Sequence, residues 1–181
     1  MRGFTLFEAM ISIAILAIAT SIIIPAGNSM IAAQHSWHAS QDMQTLLNTA
    51  RNIAITRATD ITLCPLSGGK CQSDWNQPLA IFEDINANMA LDAGEPLHFQ
   101  LEQKPSGQWL SKRPANSPFI RFSAQGYSLG SATTLVFCHQ SRIPSHHKQV
   151  ILSRQGRVRI NNYLTGNGLP DPNLDHLSCS N

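Results

Sequence analysis

The sequence predicts an α+β fold in which one long N-terminal helix packs on antiparallel β-sheet. Apolar residues recur at three- and four-residue intervals between Met43 and Ala54, which is the spacing of an amphipathic helix. After Thr59, short β-like runs alternate with segments rich in glycine, proline, asparagine and serine. The 181 residues are enough for one domain and an anchoring segment.

The N-terminal half of the helix has the composition of a membrane segment. No charged side chain occurs between Ala9 and Ile24. A helix of about 16–20 residues spans roughly 24–30 Å, which compares with a hydrocarbon core of about 30 Å. Only Arg2 precedes the run, so the positive-inside rule places the N-terminus in the cytoplasm and the rest of the chain outside. We therefore expect residues 4–26 to cross a membrane once.

The second half of the helix, residues 27–57, is predicted to pack on the domain. Pro25 removes one helical hydrogen bond and Gly27 follows it, so a bend or local melting is expected there. Beyond this point, six apolar residues form a stripe that a sheet should cover. They are Met43, Leu46, Leu47, Ala50, Ile53 and Ala54.

The remaining residues, 58–181, are predicted to form a globular β-rich domain. Several runs combine β-branched, aromatic and aliphatic residues between turn signals, as strands do. The predicted strands are residues 61–64, 79–83, 97–101, 119–122, 133–138, 149–153 and 157–160.

The four cysteines all follow the apolar run, on the side predicted to be oxidising, so their even number favours disulfides. Four cysteines allow three connectivities. The sequence favours Cys64–Cys71, because the intervening loop is short and rich in turn residues, with Cys138–Cys179 tying down the C-terminal tail. Zinc binding is the alternative, but the gap between Cys64 and Cys71 lacks the short spacing of zinc ligands.

The first residues depart from the order of a secretory signal peptide. Gly3, the small residue, precedes the apolar run instead of following it, and Glu8 lies in the run's first turn. A carboxylate at membrane depth costs about 2.5–3.5 kcal/mol on insertion scales, so Glu8 requires a partner. The segment Gly3-Phe4-Thr5-Leu6-Phe7-Glu8 resembles the class III signal of type IV prepilins.

This resemblance implies that prepilin peptidase removes residues 1–3 by cutting after Gly3. Phe4 would then become the N-methylated first residue of the mature chain. Glu8 would compensate the amine of a neighbouring subunit's first residue when helices pack in a filament. The resemblance also implies a protein held in inner-membrane lipid until it joins major and minor pilins in an extracellular pilus.

Internal segments narrow the resemblance to the FimT/GspH branch of minor pilins and pseudopilins. The segments that resemble this branch are Thr62-Leu63-Cys64-Pro65, Cys71, Asp74-Trp75 and residues 84–96. This branch implies display near a pilus tip and no cofactor. The residues themselves do not indicate an enzyme either, because there is no Gly-x-Ser-x-Gly motif and the acids form no convincing cluster.

Two groups of residues raise the question of a metal site. Oxygen-bearing residues occupy positions 1, 3, 5, 9 and 12 of a calcium-loop pattern, but Met89 stands at position 6, where the turn needs glycine. These residues are Asp84, Asn86, Asn88, Asp92 and Glu95. We interpret the segment as a hairpin connection, with a calcium-stabilised structural pilin as the alternative. His139, His146 and His147 raise the alternatives of metal binding and of a pH response. The two neighbouring histidines, His146 and His147, lie in a loop with proline and serine and are interpreted as solvated, so no metal is predicted.

Charge is unevenly distributed along the chain. The net charge is only +2, yet no aspartate or glutamate occurs from Gln103 to Pro170. The nine cations of that stretch are Lys104, Lys112, Arg113, Arg121, Arg142, Lys148, Arg154, Arg157 and Arg159. This segregation favours a polyanionic partner.

A basic hairpin is predicted within this stretch, with strands at residues 149–153 and 157–160 joined around Arg154-Gln155-Gly156. Side chains alternate along a strand, so Arg157 and Arg159 share one face about 6.6 Å apart, while the residues between and after them face the core. Two guanidinium groups on one exposed face can engage adjacent phosphates of one strand.

Gly156-Arg157-Val158-Arg159 also resembles the Gly-Arg-x-Arg motif of FimT-like pilins that capture DNA during natural transformation. The resemblance implies electrostatic, sequence-independent binding of double-stranded DNA. The predicted contact residues are Gly156, Arg157, Arg159, Arg154, Lys148, Arg142, Lys112, Arg113 and Lys104. The alternatives are a solvated basic hairpin, or one that packs on an acidic neighbouring pilin in a GspH-like pseudopilin with an assembly role only. Trp109 is expected to be buried rather than to stack on a base.

Overall fold

The computed structural model describes residues 5–103, 106–112, 118–130, 132–164 and 179. One long helix, α1 (Leu6–Arg57), precedes the strands, and a 3-10 turn spans Pro144–His146. The strands are β1 (Ile61–Ser67), β2 (Lys70–Cys71), β3 (Leu79–Phe82), β4 (Leu97–Leu101), β5 (Gly107–Lys112), β6 (Ile120–Phe122), β7 (Ser128–Leu129), β8 (Thr133–His139), β9 (Lys148–Leu152) and β10 (Val158–Asn162). Leader residues 1–3 and Phe4 lie outside the described residues.

The helix α1 has nearly the predicted boundaries. At its start, Thr5 Oγ1 accepts a hydrogen bond from the Glu8 N–H (3.3 Å), which satisfies one of the free backbone donors of the first turn. At its end, Ala58 adopts a left-handed conformation (φ 52°) that terminates the helix. The helix is continuous through Pro25, so the local melting expected there does not occur. A proline removes only one hydrogen bond, and the long flanking segments keep the helix intact.

The first half of α1 leaves its large apolar side chains exposed. Leu6 and Ile18, for example, are 81% and 65% exposed. Within the described part of the chain, none of the helices combines the length and the apolarity that a membrane crossing requires. The single-pass assignment of residues 4–26 therefore stays a prediction.

The second half of α1 packs against two antiparallel sheets. Five residues of the predicted stripe are buried, and Ile53 is half-buried against the same core. The first sheet has the strand order β4-β3-β1-β6-β7, with β2 paired to β1, and the second has the order β10-β9-β8-β5. Apolar residues of both sheets cover the stripe, among them Leu63, Ile81, Phe122, Phe137 and Leu152. This arrangement confirms the predicted α+β fold.

The seven predicted strands are present, with ends that differ by up to three residues, and three further strands were not predicted. Among these, β5 pairs with β8 over its whole length, from Gly107 opposite His139 to Lys112 opposite Thr134. Its sequence lacks a clear period-two pattern, so pairing in the folded sheet, rather than local preference, makes it a strand. It also buries Trp109, which is 3% exposed and packs on Phe137 at 5.1 Å between ring centroids. The expectation of a buried Trp109 is confirmed.

Both favoured disulfides are present. Cys64–Cys71 closes the β1–β2 turn, and the Cys138–Cys179 bridge attaches Cys179 to β8; the Cα atoms of each pair lie 5.5 Å apart. The zinc alternative is therefore wrong, because all four sulfur atoms are used.

The segment 84–95 is a hairpin connection between β3 and β4, as interpreted. The side-chain oxygens of Asp84 and Asp92 accept hydrogen bonds from other groups of the same segment. The Asp84 carboxylate accepts hydrogen bonds from the N–H groups of Asn88 and Met89 and forms an ion pair with Arg121. Asp92 accepts from the side-chain amides of Asn86 and Asn88. Across the described residues, no group of three or more His, Cys, Asp or Glu side chains is placed to hold a metal ion.

The histidines after β8 are not solvated, contrary to the interpretation of their sequence. His146 and His147 are only 4% and 2% exposed. The 3-10 turn brings His146 against α1, where its Nε2 lies 3.1 Å from Ser29 Oγ. The His147 Nδ1 accepts a hydrogen bond from the backbone N–H of His139 (3.1 Å). Packing on α1 thus buries His146, and packing against β8 and Tyr163 buries His147, in a loop whose composition alone indicates exposure.

Candidate nucleic-acid interface

The basic hairpin forms from β9 and β10, with Val158 opposite Leu152 and Asn162 opposite Lys148. The turn, residues 153–157, is closed by a Ser153 N–H to Arg157 carbonyl bond of 3.0 Å and by an Arg157 N–H to Ser153 Oγ bond of 3.1 Å. Because Arg157 closes the turn, β10 begins one residue later than predicted.

Gly156 lies in the hairpin turn, where it is buried against Gly126 and Arg51. Its backbone is left-handed (φ 75°), and a Cβ at this position would lie 2.2 Å from the Gly126 carbonyl oxygen and 2.8 Å from Arg51 Nε. Arg51 Nε donates a hydrogen bond to the same Gly126 oxygen (2.9 Å). Gly156 therefore fixes the turn against α1 and a neighbouring turn, and positions the arginines around it.

Three arginines of the hairpin, Arg154, Arg157 and Arg159, are exposed. Val158 and Ile160 pack on the core, so Arg159 lies on the opposite, outer face of the strand. The ion pairs among the described residues are His98–Glu83 and Arg121–Asp84, so none of the three arginines is paired with a described carboxylate.

The other predicted contact residues fall into separate places. Lys112 lies at the end of β5. It pairs with Thr134, which pairs with Ile151, which in turn pairs with Arg159. Three strand spacings therefore separate Lys112 from Arg159, roughly 14 Å. Lys148 lies at the far end of the hairpin, where its Nζ donates to Asn162 Oδ1 (2.7 Å).

Arg142 is exposed in the turn that follows β8, on the same far side of the sheet as Lys148. Lys104 and Arg113 lie outside the described residues. The described cations thus divide into a group around the hairpin turn and a group at the far end of the sheet, rather than forming one cluster.

Acidic residues lie mainly around the edge of the first sheet, away from this hairpin. Glu83, Asp84, Asp92 and Glu95 flank or lie within the β3–β4 connection, and Glu102 directly follows β4. Since Arg121 is paired with Asp84, it does not belong to the free basic surface. These five acids thus lie apart from the hairpin, whereas Asp60 lies beside the neighbouring turn, where its Oδ1 accepts a hydrogen bond from the Ala124 N–H.

A histidine cluster joins α1 to the far end of the second sheet. The ring of His139 lies 6.2 Å from that of His35 and 6.0 Å from that of His146. Burial lowers the pKa of His139, and the charges of His146 and His35 lower it further. Burial likewise lowers the pKa of His147, with His139 and His146 adding to the effect. The rings of His139 and His147 therefore favour the neutral form.

Comparisons with known proteins agree with the fold and the N-terminal motif. The family model described as type II transport protein GspH matches residues 39–156, and the prokaryotic N-terminal methylation motif matches residues 1–24. No curated protein matches the chain.

Two solved structures share the architecture. The type IV minor pilin FimU of Pseudomonas aeruginosa is 17% identical, with 71% of this chain and 89% of that chain covered and a TM-score of 0.56. The minor pseudopilin EpsH from the type 2 secretion system of Vibrio cholerae is 13% identical, with 71% and 97% covered and a TM-score of 0.50.

The GspH model covers more than half of the chain, and the methylation motif stands in front of it, as in proteins processed by prepilin peptidase. Proteins of this kind are structural subunits that assemble with other pilins or pseudopilins, and they are not enzymes. The chain therefore belongs to the GspH family of minor pilins and pseudopilins.

Proposed function

We propose that this protein is a minor pilin of a type IV pilus that binds extracellular double-stranded DNA, without sequence specificity, for uptake in natural transformation. The observation that carries the proposal is the hairpin with three exposed arginines, Arg154, Arg157 and Arg159, which have no described carboxylate partner. A guanidinium group that is exposed and not paired with a carboxylate can donate two parallel hydrogen bonds to the oxygens of a phosphate.

The geometry favours contact with the backbone of DNA rather than reading of bases. The arginines stand on a strand and a tight turn, and this turn packs on α1 at Arg51, so they face phosphates from a sheet and not from a helix laid in the major groove. Neutralising phosphates releases counterions, so affinity should fall steeply with salt. Lys112, Lys148 and Arg142, together with Lys104 and Arg113, would add weaker contacts along the same acid-free part of the sequence.

The N-terminal half of α1 would supply the anchor and the assembly contact. Prepilin peptidase would cut after Gly3, and Phe4 would become the methylated N-terminus. Residues 4–26, with the N-terminus in the cytoplasm, would lie in the inner membrane before assembly and contact other pilins afterwards. The exposed apolar side chains on the described part of this segment suit both environments. Glu8 would then pair with the amine of a neighbouring subunit.

The test is titration of labelled duplex DNA with the full-length protein in nonionic detergent at two salt concentrations. We expect the Arg157→Ala/Arg159→Ala double variant to lose affinity, with a log–log salt slope smaller by about 2. Lys70→Ala is the control, because Lys70 is an exposed cation in β2 of the other sheet. It should leave affinity and slope close to those of the wild type.

The second candidate is a GspH-like minor pseudopilin that has an assembly role only, and the family match and the EpsH-like fold favour it. In that case the basic hairpin would pack on an acidic neighbouring subunit. Folded wild-type protein that binds duplex DNA no better than background would overturn the DNA proposal and leave this second candidate.

A further inference from the structure

Two turns of the chain share a sequence pattern and a hydrogen-bonding pattern. Residues 123–127 read Ser-Ala-Gln-Gly-Tyr, and residues 153–157 read Ser-Arg-Gln-Gly-Arg. In each turn the glycine N–H donates to the serine carbonyl, at 2.7 Å and 2.9 Å respectively. The fifth residue donates its N–H to the serine Oγ, at 3.3 Å for Tyr127 and 3.1 Å for Arg157. Tyr127 thus has the same position in its turn as Arg157, and we call the two turns the double-turn tip.

The double-turn tip is one packed surface. The close approach of Gly156 to the Gly126 carbonyl brings the turns together, and Arg51 of α1 donates to that carbonyl. The Ser128 N–H also donates to the Arg154 carbonyl oxygen (2.9 Å), which places the residue after Tyr127 against the second residue of the basic turn. Tyr127 is therefore held near the exposed arginines although the two turns belong to different sheets.

Tyr127 is 55% exposed, and the hydrogen bonds described for it use its backbone. Bases have flat faces that stack on such rings, whatever their sequence. We propose that Tyr127 stacks on an unpaired DNA base while Arg154 and Arg157 hold the flanking phosphates, so that the protein prefers single strands and single-stranded ends over blunt duplex. This inference rests on the proposed DNA-binding function.

Base geometry explains the preference. In a duplex, bases stack on one another and offer a free face only at the ends, whereas a single strand offers every base. Asp60 lies beside the first turn, where its Oδ1 accepts a hydrogen bond from the Ala124 N–H (3.2 Å). The negative charge of Asp60 repels phosphate and so offsets part of the attraction of the arginines at this edge of the tip. Stacking of a base on an uncharged ring is therefore relatively more favourable there than a further phosphate contact.

The test uses full-length protein in nonionic detergent and three labelled ligands: a single strand, its blunt duplex, and the duplex with a single-stranded overhang. Tyr127→Ala should weaken binding of the single strand and the overhang by about 5- to 150-fold, the range for loss of one stacking contact. It should change blunt-duplex binding much less and leave the salt slope intact, because no charge is removed. Tyr127→Phe should bind like the wild type.

Phe99→Ala is the matched control, because it removes a ring that is 43% exposed on β4, beside the acidic edge. If wild type binds DNA and Tyr127→Ala binds the single strand equally well, the inference is overturned and the proposed function stands. If wild type binds none of the three ligands, both fail. If Tyr127→Ala folds poorly, Tyr127→Leu replaces it in the test, because leucine keeps the apolar bulk without a ring. A single-strand affinity of Tyr127→Leu equal to that of the wild type would refute stacking.

Discussion

Gly156 occupies a position where a side chain has no room. Its φ of 75° is left-handed, and the nearest obstacle to a Cβ, at 2.2 Å, is a backbone oxygen that cannot rotate away. The glycine of the Gly-Arg-x-Arg sequence therefore acts on the arginines through backbone geometry, without offering a side chain to DNA.

We expect Gly156→Ala to lower the free energy of unfolding by about 1–3 kcal/mol from backbone strain alone, with the clash adding to this value. Urea unfolding followed by circular dichroism measures it. Gly68→Ala is the matched control, because Gly68 is also left-handed (φ 58°) but a Cβ there meets nothing within 4 Å. Equal losses for the two variants would show that the close approach of the turns does not constrain Gly156.

The outward position of Arg159 is a local property of the sequence, whereas the position of Tyr127 beside the arginines is not. Alternation along β10 is a local property, so the outward position of Arg159 follows from the sequence. Tyr127 was missed because its nearness to Arg154 depends on two sheets meeting at the double-turn tip. The shared Ser-x-Gln-Gly pattern of residues 123–126 and 153–156 was the one available signal.

Among the secondary-structure elements, the β3–β4 hairpin is fixed to the centre of its sheet by one ion pair. Arg121 on β6 donates to Asp84, whose side chain is fully buried, and also donates from Nε to Thr62 Oγ1 on β1 (3.1 Å). Removing one partner of a buried pair leaves the other charge without compensation, which costs more than the pair contributes.

We expect Arg121→Met to lower the free energy of unfolding by about 3–5 kcal/mol, because Asp84 loses its buried counter-charge. The double variant Asp84→Asn/Arg121→Met should recover much of the loss, since no unpaired charge remains. Denaturant titration of both proteins measures the difference. A double variant as unstable as the single one would mean that packing of the arginine, rather than charge, is what matters.

At the scale of the whole molecule, the histidine cluster connects the start of the second half of α1, at Ser29 and His35, to the globular domain. The pKa of His139 and the pKa of His147 are lowered, chiefly by burial. Folding therefore favours the neutral rings. Their contribution to stability is complete above the unfolded pKa of about 6.5 and is lost as pH falls through that value toward the lower folded values.

The melting temperature should accordingly decrease as the pH is lowered from about 7.5 to about 5.5, a range that contains the unfolded pKa of histidine. The pKa of Asp74 is lowered mainly by a hydrogen bond from Asn76, so its contribution is lost only at more acidic pH. His139→Gln/His147→Gln should flatten the dependence in differential scanning fluorimetry, whereas His38→Gln, an exposed histidine on α1, should not. A slope unchanged in the double variant would show that other groups cause the dependence.

The sequence by itself determined the features that depend on local pattern. These are the extent of α1, its buried stripe, the seven strands, the Cys64–Cys71 disulfide and the hairpin with outward arginines. Periodicity, turn composition and short-range closure act over a few residues, so the printed sequence contains them.

Only the tertiary structure decided which distant residues meet. Pairing with β8 made β5 a strand, packing on α1 buried His146, and the Asp84 pair removed Arg121 from the basic surface. The approach of Gly156 to Gly126 likewise brought Tyr127 beside the arginines. Each of these contacts joins segments far apart in sequence, and its energy comes from burial and charge in the assembled core, which no local pattern records.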